Sequence, residues 1–331
     1  MHYPPPAESI YLDLSDRAKL RLTGADRVRF LNGQVSNDVR QASAERSIYT
    51  GVMTIKGKLC ADAFVHGRED FLLVDAEGEL REALAARLER YIIADDVTLE
   101  DATDAFALLH LIDFAADTPV GGHLPTVRPA LAALGDGLWT VESQRYGRAG
   151  LDVFYPPALD AAVRRCLHAG FTELNEDAAE AWRIVAGVPR WGAELDENTM
   201  PAEAGIEERA VSYAKGCYIG QEIVSRVKSL GHVNRQLRGL RATDASPLFA
   251  GMTLHVPAAE DGQPGKEIGR MTSAAASAGH GGAEFIALGY VRREFAAPGT
   301  LLDAMSPPDP GEASDTASPP CRVEVCALPF V

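Results

Sequence analysis

Apolar and polar residues alternate at 10–14 (Ile10-Tyr11-Leu12-Asp13-Leu14) and 18–23 (Ala18-Lys19-Leu20-Arg21-Leu22-Thr23), the period-2 pattern of half-buried strands. Gly24-Ala25-Asp26 turns into a short helix over 27–32 with Asp26 available as its cap. Residues 33–39 start another short helix or tight turn, in which Ser36, Asn37 and Asp38 read as capping residues. Strands follow at 48–53, 59–65 and 71–74, and Lys56-Gly57-Lys58 turns the first two into a hairpin. Leu80, Ala83, Leu84, Leu88 and Tyr91 fall on one face of a helix over 79–91. Strands return at 97–99 and 106–112, and a second helix occupies 129–134. Helices mixed with antiparallel strands in this way predict a ferredoxin-like layer.

Beyond Trp139, a strand at 151–155 leads to helices over 159–169 and 178–185. The second stops at Gly187, with Pro189 just beyond. A long irregular stretch, 190–214, then carries Met200-Pro201-Ala202-Glu203-Ala204-Gly205, and loops of such length are often functional. After Arg235 the pattern is all β, with strands at 237–241, 253–256, 267–272, 287–292 and 322–328. Residues 273–282 and 307–320 read as low-complexity loops at hairpin tips. The fold class is α+β, closing in a small C-terminal β-barrel.

At 331 residues the chain exceeds one core and predicts two or three domains. Its net charge of −15 argues against a polyanion partner, since nucleic-acid binding rests on a basic surface. A local basic run from Arg209 to Arg241 reads equally as a solvated face or a site. The five cysteines (Cys60, Cys166, Cys217, Cys321 and Cys326) are odd in number and form no Cys-x-x-Cys pair, the pattern of reduced cytosolic thiols without a metal site. No secretory leader and no run near the ~20 apolar residues of a membrane span is present, so a soluble cytoplasmic protein is expected.

The stretch richest in chemistry is Lys215-Gly216-Cys217-Tyr218-Ile219-Gly220-Gln221-Glu222. Ile223, Val224 and Val227 share one face of a helix starting at its end, with Glu222 in the first turn and Arg226 and Lys228 in the last. Cys217 then lies just ahead of a helix N-terminus and near an ammonium, both of which favour a thiolate. The alternative is a cysteine that fills a small buried hole.

That octapeptide resembles K-G-C-[FY]-x-G-Q-E, the signature of YgfZ-type folate-binding proteins, relatives of the glycine cleavage T-protein (aminomethyltransferase). Further stretches follow in the expected order. Residues 30–39 (Phe30-Leu31-Asn32-Gly33-Gln34-Val35-Ser36-Asn37-Asp38-Val39) are similar to F-L-x-G-Q-x-[ST]-N-D-V, and Gly57 to Asp62 to G-x-[LM]-x-x-D. Arg183 to Pro189 is similar to R-x-x-x-G-x-P, and Pro201-Ala202-Glu203-Ala204 to P-x-E-A. Strands at 238–240 and 287–291 and the close at 328–330 are similar to the family's barrel. The resemblance implies a three-domain ring around a folate channel. Its parts are a discontinuous first domain (1–47 and 136–236), a ferredoxin-like second (48–135) and a barrel (237–331).

The same resemblance implies that Glu203 hydrogen-bonds the pterin, as a carboxylate can accept two parallel N–H bonds from an aminopyrimidinone edge. The alternative for Glu203 is a helix-cap acid. Arg235 takes the place of a folate-contacting arginine, with Arg238 and Arg241 as neighbours that could fill it. Asp62 matches the aspartate placed near the reactive nitrogen of tetrahydrofolate; otherwise it is an exposed hairpin acid. Lys215 would keep the Cys217 thiolate ionised, and Tyr218 would pack.

The function implied is a tetrahydrofolate-binding accessory factor in iron–sulfur cluster assembly or repair, supporting tRNA-modifying radical-SAM enzymes indirectly. Its cofactor would be tetrahydrofolate and its partners transient, cluster-assembly proteins or client enzymes. No direct nucleic-acid or membrane contact is expected, and the chain would be a monomer. The alternatives are a folate-dependent one-carbon transferase using Asp62 and Glu203, and a non-catalytic folate-sensing scaffold. A Cys–His hydrolase fits poorly, with His232 the only histidine nearby.

Overall fold

Strand and helix alternate along the chain much as its patterning predicts, in a computed structural model that describes residues 9–114, 122–258, 265–279, 282–306 and 320–330. In chain order the strands are β1 (Ile10–Asp13), β2 (Ala18–Thr23), β3 (Ile48–Met53), β4 (Leu59–Gly67), β5 (Leu72–Ala76), β6 (Thr98–Asp101), β7 (Ala107–Ile112), β8 (Trp139–Ser143), β9 (Gly150–Tyr155) and β10 (Thr172–Glu173). The later strands are β11 (Arg235–Ala242), β12 (Thr253–His255), β13 (Glu267–Gly279), β14 (Gly282–Arg292), β15 (Leu301–Met305) and β16 (Cys321–Cys326). The helices are α1 (Arg27–Gln34), α2 (Arg81–Glu89), α3 (Leu124–Ala132), α4 (Asp160–Leu167), α5 (Glu176–Val185), α6 (Glu207–Ala210) and α7 (Gln221–Leu230). The chain divides into two compact units, one made of 4–175 and 206–226, the other built on 176–205 and 227–331.

The first unit holds two five-stranded sheets, ordered β10-β1-β7-β9-β8 and β3-β4-β5-β2-β6. Strands β7 and β9 are buried along their whole length. Their alternation therefore serves two cores. Leu109, Leu111, Leu151 and Val153 pack with Val127 and Leu131 of α3 and Val163 and Leu167 of α4. On the opposite face Leu108 and Phe154 meet Trp139, Val141 and Leu73 of the second sheet. The sheets do not divide the chain at 47 and 136. Strand β2, expected in the first domain, pairs with β5 and β6, whereas β7, expected in the ferredoxin-like domain, pairs with β1 and β9. Periodicity marks a strand but not its partner, so this exchange is invisible in the pattern.

The space between the two sheets also takes charge. Asp75 on β5 accepts from Arg17, from His66 Nε2 at 2.7 Å and from Arg145 at 2.7 Å. Arg145, from the β8–β9 turn, also donates to Asp152 of β9 at 2.8 and 2.9 Å, and Asp152 is bonded by His110 Nδ1 at 2.7 Å. His66, Asp75, His110 and Asp152 are 0 % exposed. The cations beside them hold both carboxyls well below the usual carboxylate range despite burial, and burial pushes His110 down.

In the second unit, β11, β14, β13, β12, β15 and β16 close a six-stranded barrel around Leu240, Leu254, Ile268, Met271, Leu302 and Val323. Residues 273–279, expected as a loop, continue β13 and pair with β14. Residues 307–319 lie outside the described residues. Helix α5 packs Ile184 and Val185 on Leu237, Ile286 and Leu288. Buried Arg183 bonds Glu194 at 2.8 Å and Ser273 at 2.7 Å, and Glu194 also accepts from Thr272 and Ser273. The stretch after α5 is thereby tied to the barrel wall. Among the described residues no helix is long and apolar enough to cross a membrane.

Removing one member of a buried charge network leaves its partners uncompensated. Arg145→Met is expected to lower the unfolding free energy by about 3–5 kcal/mol, whereas Arg81→Met, at a solvent-exposed pair with Asp101, should leave it nearly unchanged; urea unfolding at pH 7 measures both. On acidification, His110 lowers stability first, as pH falls through about 6.5, because the unfolded chain takes the proton the folded one refuses. The depressed carboxyls Asp75 and Asp152 add a further loss below about pH 4.

Candidate functional site

The loop that presents Cys217 is built from two motifs far apart in sequence. Lys215 is buried, and its Nζ donates to the carbonyls of Asn32 (2.5 Å), Val35 (2.6 Å) and Asn37 (2.9 Å). An ammonium has three N–H bonds, and all three are used. None is left for a hydrogen bond to Cys217. Lys215 caps the carbonyl-rich end of α1, where a cation is favoured. Burial among neutral acceptors lowers its pKa to about 8.

Residues 32–37 form the matching half. Ser36 Oγ donates to Ala210 O (2.6 Å) and accepts from Gly51 N (2.9 Å), and Ser36 O accepts from Ser212 N. Asn37 Nδ2 donates to Tyr49 O and Arg209 O, at 2.8 and 2.9 Å. Of the three residues expected to cap a helix, only Asp38 does so, accepting from Arg40 N. Ser36 and Asn37 instead clasp β3 to the segment that leads to Cys217.

Gly220 seats the far side of the loop. Its φ is +88°, and a Cβ there would lie 2.4 Å from Thr54 O and 3.0 Å from Met53 Cβ. Gly57, at φ +70°, presses the hairpin tip onto Ile223 in the same way. Gly216 meets nothing within 4 Å, so the two glycines flanking Cys217 have unequal work. Cys217 is exposed, which excludes the hole-filling alternative. Tyr218 does pack: it is buried against the Lys215 ammonium, 5.1 Å from Nζ to ring centroid, and burial lifts its phenol to about 12.

Asp62 is not an exposed hairpin acid. It is 7 % exposed on β4, paired opposite Gly51, with Oδ2 accepting from Tyr49 OH at 2.9 Å. Among the described residues Oδ1 has no hydrogen-bond partner. Burial raises the Asp62 pKa to about 6, with Arg17 opposing the rise and Glu77 adding to it. Tyr49 also lines a cavity of about 440 Å³, together with Phe64, Asn37, Arg46, Ser143 and Arg209. The Arg209 guanidinium lies 5.1 Å from the Tyr49 ring centroid.

In the other unit, Glu203 and Arg235 come together. Arg235 donates to Glu203 Oε2 at 3.2 Å, and its guanidinium stacks 4.3 Å from the centroid of Tyr290. Glu203 Oε2 also accepts from Met200 N at 3.3 Å, and the Glu203 carbonyl accepts from Leu237 N. The neighbouring arginines are occupied elsewhere: Arg238 donates to Ala296 O, and Arg241 pairs with Glu284 at 2.8 Å. Arg235 is therefore the arginine that reaches Glu203. Tyr290, whose hydroxyl donates to Glu194 O, was not singled out from sequence, where it reads as one more barrel-strand aromatic.

No family model matches the chain. A tRNA-modifying protein YgfZ of Sodalis glossinidius is 29% identical over 257 residues, 76% of this chain and 74% of that one. Its namesake in Yersinia pestis (strain Pestoides F) is 28% identical over 270 residues, 77% and 76% of the two chains. An aminomethyltransferase of Rubrobacter xylanophilus is 28% identical over 231 residues, 66% of this chain and 61% of that one. The crystal structure of the glycine cleavage system aminomethyltransferase T from Bartonella henselae superposes with a TM-score of 0.77, covering 98% of this chain and 87% of that one at 19% identity. The chain is thus similar, at 28–29% identity over about three quarters of its length, to proteins named tRNA-modifying protein YgfZ. It has the T-protein fold, α+β with a closed C-terminal barrel. The K-G-C loop has two supports: the segment 32–37 that cages Lys215, and Gly220, which seats the loop against the hairpin.

The raised pKa of Asp62 sets the sign of a pH effect. Between about pH 4 and 6 the folded chain holds a proton that the unfolded chain releases, so ionisation above pH 6 destabilises the fold. Asp62→Asn is expected to raise the unfolding free energy at pH 8 by about 2–3 kcal/mol and to match wild type near pH 4, as read from paired urea titrations. Equal stability of the two proteins at pH 8 would contradict the assignment.

Proposed function

We propose that this chain is a tetrahydrofolate-binding accessory protein whose Cys217 thiol serves iron–sulfur cluster assembly or repair. The observation that carries the reading is the presentation of Cys217: an exposed thiol on a loop held by a buried lysine and two close-packed glycines. Among the described residues no three His, Cys, Asp or Glu side chains converge as metal ligands, so a cluster would be cargo passed to or from a partner. Cys217 would then act as a nucleophile toward a persulfide sulfur or as a transient iron ligand.

The chemistry of Glu203, Arg235 and Tyr290 supports the folate half. Glu203 uses Oε2 for its contacts, and Oε1 makes no hydrogen bond among the described residues, leaving a carboxylate edge beside a guanidinium and an aromatic face. That set suits a flat aminopyrimidinone, whose N–H groups match a carboxylate and whose ring stacks on planar groups. When bound, tetrahydrofolate supplies a one-carbon carrier. Asp62 favours a second reading, one-carbon transfer, because its unpartnered Oδ1 and pKa of about 6 suit an acid–base group.

The curated relatives are named for tRNA modification. With a net charge of −15, the link proposed here runs through a cluster-dependent client enzyme, with no direct RNA binding. A gel shift with tRNA at ~150 mM salt should show no tight complex.

Calorimetry with tetrahydrofolate on wild type, Glu203→Ala and Cys217→Ala separates the two halves. Glu203→Ala should weaken binding by about tenfold or more. Cys217→Ala should bind as wild type does yet lower cluster-dependent enzyme activity in cells. Full activity in that variant would remove the thiol role. Methylene-tetrahydrofolate formed from an aminomethyl donor, and lost in Asp62→Asn, would favour transfer instead.

A further inference from the structure

Cys217 is exposed, yet the backbone on both sides of it is fixed. Two residues upstream, Lys215 is buried in its cage of three carbonyls. Two residues downstream, Ile219 N donates to Gly33 O at 3.4 Å, and the next residue, Gly220, lies against the hairpin. All four carbonyl acceptors lie between Asn32 and Asn37, so one short segment holds both ends of the cysteine loop. Asn37 extends the hold, because its side chain bonds the backbone of Tyr49 and Arg209 in the cavity wall.

A lysine suits this cage because its three N–H bonds diverge from one point onto three converging carbonyls. A guanidinium keeps the charge, but its donors lie in a plane and cannot reproduce that arrangement. Charge and geometry can therefore be separated by substitution.

We propose that Lys215 is a positioning residue for Cys217: its cage on residues 32–37 fixes the loop so that the thiol meets a reaction partner in one orientation. The proposal rests on the reading of Cys217 as a reacting thiol. It assigns Lys215 to geometry, in contrast to a lysine that acts by charge.

The test is the rate of alkylation by iodoacetamide at pH 7.5, read for Cys217 and Cys166 separately by peptide mass spectrometry on the whole chain. Cys166, half-buried in the same unit, is the internal control. In Lys215→Met and Lys215→Arg the Cys217 rate should change by about fivefold or more as the loop is released, with Cys166 within about twofold of wild type. A wild-type Cys217 rate in Lys215→Arg would mean that charge alone suffices, and would overturn the proposal. A parallel rise at both cysteines would mean general loosening, and would overturn it too. If Lys215→Met does not fold, Lys215→Arg and Asn37→Ala carry the same comparison with the same outcomes. Full cluster-enzyme activity in Cys217→Ala would refute the thiol reading while leaving the alkylation result intact, so the two failures are distinct.

Discussion

The Arg145 guanidinium, shared between Asp75 of one sheet and Asp152 of the other, is the contact on which the larger unit depends. Apolar burial between two sheets is strong but has no direction. A guanidinium fork bonding two carboxylates has direction. The strand residues involved are fully buried, so the network contributes more to uniqueness than to stability: apolar residues of the same size would avoid the desolvation. Its position has a consequence for the site. His66, Phe64 and Asp62 lie on one face of β4, so the bond that places His66 against Asp75 also sets where Asp62 stands. Within the network, Arg17 and Arg145 are balanced by Asp75 and Asp152, with Glu77 on Arg17 as well. Burial pushes the Asp62 carboxyl up to about 6 with only a non-bonded pull from Arg17, whereas Arg145 and Arg17 bond Asp75 and hold it well below the usual carboxylate range despite its burial.

The second support is the interlock of residues 32–37 with residues 209–219. It explains why the N-terminal motif carries Ser36 and Asn37. Local rules assign such residues to capping, and for Asp38 the rule holds. For Ser36 and Asn37 it fails because their partners, Ala210 and Arg209, lie 174 and 172 residues away. Side-chain hydrogen bonds of that sequence separation leave no periodic trace.

Much else was legible. The strands, the Gly57 hairpin, the α7 start and the barrel follow from alternation and turn residues, and the octapeptide around Cys217 pointed to the family that the comparisons support. What was not legible falls into two kinds. Strand partnership is one, as the exchange of β2 and β7 between sheets shows. The other is the sign of burial for charged residues. Arg17, Arg145, Asp75 and Lys215 carry side chains that are exposed in most proteins, and only tertiary partners make their burial tolerable. Among Arg235, Arg238 and Arg241 the sequence offered no choice; the structure makes it through Glu203, Ala296 and Glu284.

The Lys215 cage poses the same question as the Arg145 bridge in a sharper form, since no carboxylate bonds the ammonium. Its pKa of about 8 records that removal from water outweighs what three neutral carbonyls and the more distant Asp38 return. Between about pH 8 and 10.5 the unfolded chain binds the proton more readily, so the protonated cage opposes folding and its burden lifts as pH rises. Three donors diverging from one atom hold three carbonyls in fixed relation, which an apolar side chain at 215 could not do. Placed two residues before an exposed thiol, that fixed relation is the property the loop retains in return for the desolvation.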